Sequence, residues 1–269
     1  MRIRKIPVFI LLLLLVLFII AGLFNQLKVA SYQLCDEKVD ETIKIIQLSD
    51  LHNQIYDSDQ KKLIDMIKSC NPDVIVLTGD IGDDVEPMTG TRLLLEGIKE
   101  TAPIYYVTGN HEHWADDTDD IIREIVSYGV ILLDNRTEMI TVNGNEMTIS
   151  GVSDPESGSY DDSFLENLKT DDFNILLAHR PERIQEYAGF NIDLIFSGHA
   201  HGGQFRIPFL INGFFSPNQG FFPRYAGGKY EIKDSIMIVS RGLSHNKWIP
   251  RFYNNPEVVL TEIKGVKND

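Results

Sequence analysis

The chain reads as an α/β protein on three observations. From residue 43 onward, apolar runs of strand length alternate with segments whose apolar residues recur at helical spacing. Past residue 130 the rhythm changes to consecutive strand-like runs. Clusters rich in Asp, His, Asn and Gly stand repeatedly where those runs end, the edge on which ligand-binding loops of open α/β sheets converge.

Taken in order, "IKIIQLS" (43–49) is a buried strand, and "SDQKKLIDMIKSC" (58–70) is a helix with Leu63, Ile64 and Ile67 on one face behind a Ser/Asp cap. "DVIVLT" (73–78) is the next strand, followed by the helix-like "GTRLLLEGIKE"; "PIYYVT" (103–108) is the third. "DDTDDIIREIVSYG" supplies a helix whose acidic first turn suits its dipole. "GVILLD", "TEMITVN" and "EMTISGVS" then follow as strands, with "NGN" (143–145) as a hairpin turn. A short helix near 161–169 leads to the strand "FNILLAH", a helix from "RPERIQEYA" and the strand "IDLIFSGH". "GKYEIK", "SIMIVSRG" and "EVVLTEI" close the chain. The expected organisation is an anchor over 1–28, a tether over 29–40 and one α/β domain over 41–269.

The anchor is expected because Arg2, Arg4 and Lys5 precede an uncharged apolar run from Pro7 to Phe24. At ~1.5 Å per residue that run approaches the thickness of a bilayer core. It exceeds a usual signal-peptide h-region and lacks a clear small-x-small cleavage site. Basic residues ahead of it predict a single-pass cell-membrane protein, N-terminus cytoplasmic and catalytic body on the outer face. Secretion would follow if the segment were cleaved.

All 39 acidic residues lie beyond Lys28, and the chain carries a net charge of −14. So acidic a body repels nucleic acid, which is not an expected partner. Cys35 and Cys70 form no recognisable metal or redox spacing.

Five clusters end the apolar runs: "SDLHN", "TGDIGD", "TGNHEH", "AHRPE" and "SGHAHGGQ". They bring Asp50, His52, Asp80, Asn110, His111, His179, His199 and His201 to one edge. Mixed imidazole and oxygen donors suit divalent first-row metals better than calcium, and the set exceeds what one tetrahedral ion needs. Asp-x-His and His-x-His each place two donors on alternate positions of an extended segment.

"DLH", "GDIGD", "GNHE", a later single His and "GHAHGG", in that order, resemble the calcineurin-like metallophosphoesterase superfamily. The likeness spans roughly residues 45–204. It implies a four-layer α/β/β/α sandwich of two mixed sheets. It also implies two divalent metal ions (Mn, Fe, Zn or Mg, with Mn first): Asp50, His52 and His201 on one, Asn110, His179 and His199 on the other, Asp80 bridging. By the same resemblance His111 matches a histidine that does not bind metal and serves as general acid at the leaving group. Asp83 matches an acid that orients a ligand, while Glu112 and Arg180 are candidates to support the site or touch substrate. One departure is Gln54 after Asn53, where many members carry Gly.

The implied activity is hydrolysis of phosphate esters, since two dications outweigh the carboxylates of Asp50 and Asp80. The later "SRGL" and "IPRFYNNPEVVL" resemble the membrane-anchored phosphodiesterase subgroup, which suggests an envelope, nucleotide or lipid-linked phosphodiester. The Phe- and Pro-rich stretch "FRIPFLINGFFSPNQGFFPRYAGGKY" is either a packed loop or an apolar wall for such a substrate. Alternatives are a phosphomonoesterase and a non-catalytic metal-stabilised binding module. An amide-hydrolysing metalloenzyme is disfavoured by the absence of an HxHxDH-type cluster. His113 and Trp114 match no ligand role, and His245, away from these motifs, is either a surface residue or part of the site rim.

Overall fold

The computed structural model describes residues 8–245 and 249–266. Helix α1 (Val8–Leu23) leads through four residues into strand β1 (Lys28–Asp36). The alternating part follows: β2 (Ile43–Leu48), α2 (Lys61–Ser69), β3 (Val74–Thr78), α3 (Thr89–Ile98), β4 (Ile104–Val107), α4 (Asn110–Trp114), α5 (Thr118–Ser127) and β5 (Ile131–Leu132). Then come β6 (Arg136–Val142), β7 (Asn145–Gly151), β8 (Phe173–Leu177), α6 (Ile184–Tyr187) and β9 (Leu194–Ser197). The chain ends with β10 (Phe215–Ser216), β11 (Gly220–Phe221), β12 (Gly228–Ile232), β13 (Ser235–Val239) and β14 (Glu257–Gly265).

Two six-stranded mixed sheets form, ordered β1-β14-β2-β3-β4-β5 and β12-β13-β9-β8-β7-β6. Alternation of side chains across each strand builds the layers. Ile45, Val76 and Val107 face Ile149, Ile175, Leu177 and Phe196 between the sheets. Their neighbours Ile46, Leu48, Ile75 and Leu77 turn outward onto Leu63 and Ile67 of α2, Leu94 and Ile98 of α3, and Ile125 of α5. On the far side Leu176, Ile195 and Met237 meet Ile184 and Tyr187 of α6 and Leu165 of a 3₁₀ turn. The expected helix near 161–169 is that 3₁₀ turn, Ser163–Asn167.

The Asn143–Gly144 turn between β6 and β7 has positive φ at both residues, 51° and 84°, as the tightest hairpin turns require. β2, β3 and β4 run parallel, as do β7, β8 and β9, so their C-terminal ends deliver the five polar clusters to one edge.

Two expectations concern the N-terminus, and the second is corrected. Of the spanning segment expected from Pro7 to Phe24, the described residues form a helix over Val8–Leu23, and no helix of the described residues is long and apolar enough to cross a membrane. Arg2, Arg4, Lys5 and Pro7, on which the orientation rests, lie outside the described residues. The segment expected as a tether, 29–40, is mostly sheet: β1 pairs in parallel with β14 from Lys28↔Glu257 to Asp36↔Gly265. Alternating exposure along β1, with one face to solvent, explains why its sequence lacks the apolar run of a central strand.

The end of α1 is fixed to the body. Tyr253 donates its backbone N–H to Gly22 O (2.7 Å) and its hydroxyl to Phe18 O (3.0 Å). The Phe252 ring lies where a Cβ on Gly22 would be, 2.2 Å from the nearest ring carbon, so any larger residue would have to displace that ring.

Candidate metal centre

Asp50 and His52 follow β2, Asp80 follows β3, Asn110 opens α4 after β4, His179 follows β8, and His199 and His201 follow β9. Asp50, His52, Asp80, His199 and His201 all have left-handed backbone, φ 47° to 65°. That conformation costs an L-residue roughly 1–2 kcal/mol, so its recurrence marks loops held in shape for the sake of their side chains.

Two groups of donor atoms result, each within 4.8 Å: Asp50, His52, Asp80 and His201, and Asp80, His179 and His199. Asp80 is common to both. Its Oδ2 lies 3.2 Å from His179 Nε2 and 3.7 Å from His52 Nε2. Asp50 Oδ1 is 3.6 Å from His201 Nε2. A third group, His52, Asp83 and His111, lies at the rim.

The proton positions favour a cation. His179 Nδ1–H donates to Thr78 O at 2.7 Å, leaving Nε2 to face inward. Asn218 Oδ1 accepts both Arg180 Nη1–H and His199 Nε2–H, each at 2.8 Å, which places the remaining lone pair of His199 on Nδ1. That Nδ1 sits 3.2 Å from His179 Nε2. Asp50 Oδ2, His52 Nε2 and Asn110 Oδ1 are buried without a hydrogen-bond partner. Lone pairs converging in a buried space fit a divalent metal, and Asn110 adds a neutral oxygen.

Electrostatics agree. Burial opposes a charge on His179, but Asp80 and then Asp50 and Asp154 raise its pKa to about 10, so the carboxylates favour positive charge at that ring, and a metal ion on Nε2 would take the place of its proton. Burial likewise opposes charge on His52, yet its bond to Asp83 and the charges of Asp80 and Asp50 raise it. Burial, His179 and Arg180 push His199 down to about 3, and burial with His52 lowers His201, so both are neutral donors at pH 7. Asp80, although buried, is held well below the usual carboxylate range by His179 and His52.

The supporting residues have definite partners. Glu112 is fully buried and accepts four backbone N–H groups, from Asp80, Ile81 and Gly82 of one loop and Gly109 of the next, at 2.7–2.9 Å. It is a clamp between loops. Asp83 accepts His52 Nδ1–H at 2.9 Å, fixing that ring. Arg180 is bidentate to Asp154 (2.6 and 2.9 Å), reaches Glu156 at 3.2 Å and holds Asn218, so its guanidinium is committed inside the protein. His111 donates Nδ1–H to Asp84 at 2.7 Å and packs between His52 and Trp114, ring centroids 4.4 and 4.6 Å away. His113 binds Thr108 Oγ1 at 2.8 Å, and His245 packs near Tyr56; neither joins the donor groups.

Asn218, Asp84 and Asp154 were not foreseen as contributors. Asn218 sits in the turn between β10 and β11, with φ 60°. "SPNQG" announces a turn, but nothing local says that its Asn reaches a histidine nineteen residues earlier.

The calcineurin-like phosphoesterase family profile matches residues 43–203, more than half of the chain and all the donor residues. The chain belongs to the calcineurin-like phosphoesterases. Among relatives of this phosphoesterase, "Uncharacterized metallophosphoesterase YkuE" of Bacillus subtilis (strain 168) is 29% identical over 229 residues, covering 82% of this chain and 79% of that one. "Uncharacterized protein YpbG" of the same organism is 30% identical over 251 residues, covering 90% and 88%. "Transmembrane protein with metallophosphoesterase domain" of Bos taurus is 28% identical over 228 residues, covering 76% of this chain and 49% of its own.

Proposed function

We propose that this phosphoesterase hydrolyses phosphodiesters at a binuclear centre. Asp50, His52 and His201 hold one divalent ion, Asn110, His179 and His199 hold the other, and Asp80 bridges. The observation that carries this reading is the position of Asp80 Oδ2 between His52 Nε2 and His179 Nε2, in both donor groups at once. When bound, two such ions lower the pKa of water and neutralise charge on the phosphoryl oxygens.

The chain's own residues do the rest. Asp83 and Asn218 fix the rings of His52 and His199, so the donors need no rearrangement as substrate arrives. His111, its Nδ1–H held by Asp84, has Nε2 left to carry a proton to a departing alkoxide. A diester brings one negative charge where a monoester brings up to two. The guanidinium beside His179, the natural partner for the second charge, is tied to Asp154 and Glu156, which favours the diester.

Manganese leads Zn, Fe and Mg as the expected ion, because three or four mixed N/O donors per site suit it. The substrate class is an envelope, nucleotide or lipid-linked diester. The same reading places α1 in the cell membrane with the phosphoesterase domain on the outer face, as the membrane-anchored subgroup suggests. Its support is the composition of the helix: all 16 residues are apolar or glycine, and only Gly22 is buried.

The test uses detergent-solubilised full chain, stripped with a chelator and reloaded with Mn, Zn or Mg. Bis-p-nitrophenyl phosphate should be turned over faster than p-nitrophenyl phosphate, with Mn restoring activity. Preference for the monoester would overturn the diester reading, and undiminished activity after chelation would overturn the metal centre.

A further inference from the structure

The stretch from Leu194 to Tyr230 contains no Asp or Glu, in a chain with 39 of them. It contains Arg206, Arg224 and Lys229. It also carries the most exposed apolar side chains outside α1, Phe209 at 107% and Leu210 at 81%, and in the same stretch Phe221 at 67% and Phe222 at 63%. Water is a poor environment for such a cluster, and large exposed apolar patches on a folded domain mark surfaces that are covered in use. Phe209 is held in the left-handed region, φ 68°, at the tip of a turn closed by Ile207 and Ile211, so the backbone accepts strain in presenting that ring outward.

This surface is continuous with α1. Phe205 stacks on Phe252 (centroids 6.0 Å), and Phe252 meets Phe18 of α1 edge-on (5.7 Å). Between helix foot and loop lies a cleft of about 250 Å³ lined by Lys28, Arg206, Pro208, Arg241, Tyr253 and Glu257, among others. Arg241 is paired with Glu257, but no ion pair is made by Lys28, Arg206 or Arg224 among the described residues. An apolar rim carrying unpaired cations, on a protein otherwise strongly acidic, complements one surface in particular: a bilayer with anionic headgroups.

We propose that the loop over 205–224 is a second membrane contact, with Phe209 and Leu210 entering the acyl boundary and Lys28, Arg206 and Arg224 meeting anionic phosphates. It rests on the reading that α1 lies in the membrane, and is independent of the hydrolytic reaction. Asn218, on the same loop, bonds His199, so the contact sets the mouth of the metal centre at headgroup level.

Full-length protein with Cys35→Ser and Cys70→Ser, carrying Phe209→Cys labelled with an environment-sensitive nitrobenzoxadiazole dye, is reconstituted into vesicles of phosphatidylcholine with or without phosphatidylglycerol. Met139→Cys, 69% exposed on β6 at the far edge of the sheet that holds β9 and β12, is the control. Blue-shifted, brightened emission at 209 but not at 139, stronger with phosphatidylglycerol, is expected. Arg206→Gln with Arg224→Gln should weaken the lipid dependence roughly 30-fold. Flotation with vesicles reports α1 separately: a protein that floats while its 209 probe stays water-like overturns the second contact and spares the anchor. Equal shifts at 139, no difference between the two lipids, or a shift in detergent that grows with protein concentration, as a second copy would give, also overturn it.

Discussion

Glu112 accepts the backbone N–H of Gly82 at 2.9 Å, across thirty residues of chain, and through its other contacts secures Asp80 and Gly109 as well. A buried carboxylate that satisfies four main-chain donors leaves all four unpaired when it is removed. Glu112→Ala should therefore lower unfolding free energy by about 3–5 kcal/mol and impair divalent-ion binding, because Asp80 sits on the loop it secures. Urea unfolding alongside manganese titration checks both; an unchanged midpoint would show the clamp to be dispensable.

Asn218→Ala removes the acceptor that holds the proton on His199 Nε2. The ring becomes free to take the other tautomer, and outer partners of this kind are worth about 10–100-fold in metal affinity. Calorimetric titration of the stripped protein should show a loss of that size at one of two sites. Affinity equal to wild type at both would mean that Asn218 does not orient His199.

His111→Ala tests the acid. Turnover of an alkyl phosphodiester should fall by about 10²–10⁴-fold, and that of a p-nitrophenyl diester, whose leaving group needs little help, far less. Equal losses on both substrates would assign His111 to binding instead of proton transfer.

Acid should loosen the Arg180–Asp154 pair. Burial raises the Asp154 carboxyl, but the bidentate bond from Arg180 and the charges of His179 and Arg180 hold it below its ordinary value in the folded protein. A depressed folded pKa means that the unfolded chain binds the proton first as pH falls, so this stabilisation is full above about pH 4 and is lost through the folded value below it. Urea unfolding between about pH 2 and 5 should show that decline. Asp154→Asn should be less stable at neutral pH by about 3–5 kcal/mol and show a shallower acid slope; an identical slope would locate the acid sensitivity elsewhere.

Much of this was legible in the residues because it is local. The strands β2, β3, β4, β8 and β9 are fully or nearly fully buried, so their apolar runs are continuous and their ends stand out as polar clusters. What was missed depends on distant partners. β1 is an edge strand defined by pairing with residues 257–265, and its alternating exposure looks like a polar linker until β14 is beside it. Asn218 and Asp154 acquire meaning only through Arg180 and His199. α4 follows from Glu112 reaching back to Gly109 N–H at its start, a capping contact that "GNHEHW" shows only in hindsight.

The parallel pairing of β1 with β14 begins at Lys28, with only four residues between it and the end of α1. There is thus no slack cable between helix and body: on the proposal that α1 lies in the membrane, the phosphoesterase domain cannot roam over a wide radius, and whatever it cleaves has to diffuse to a fixed address.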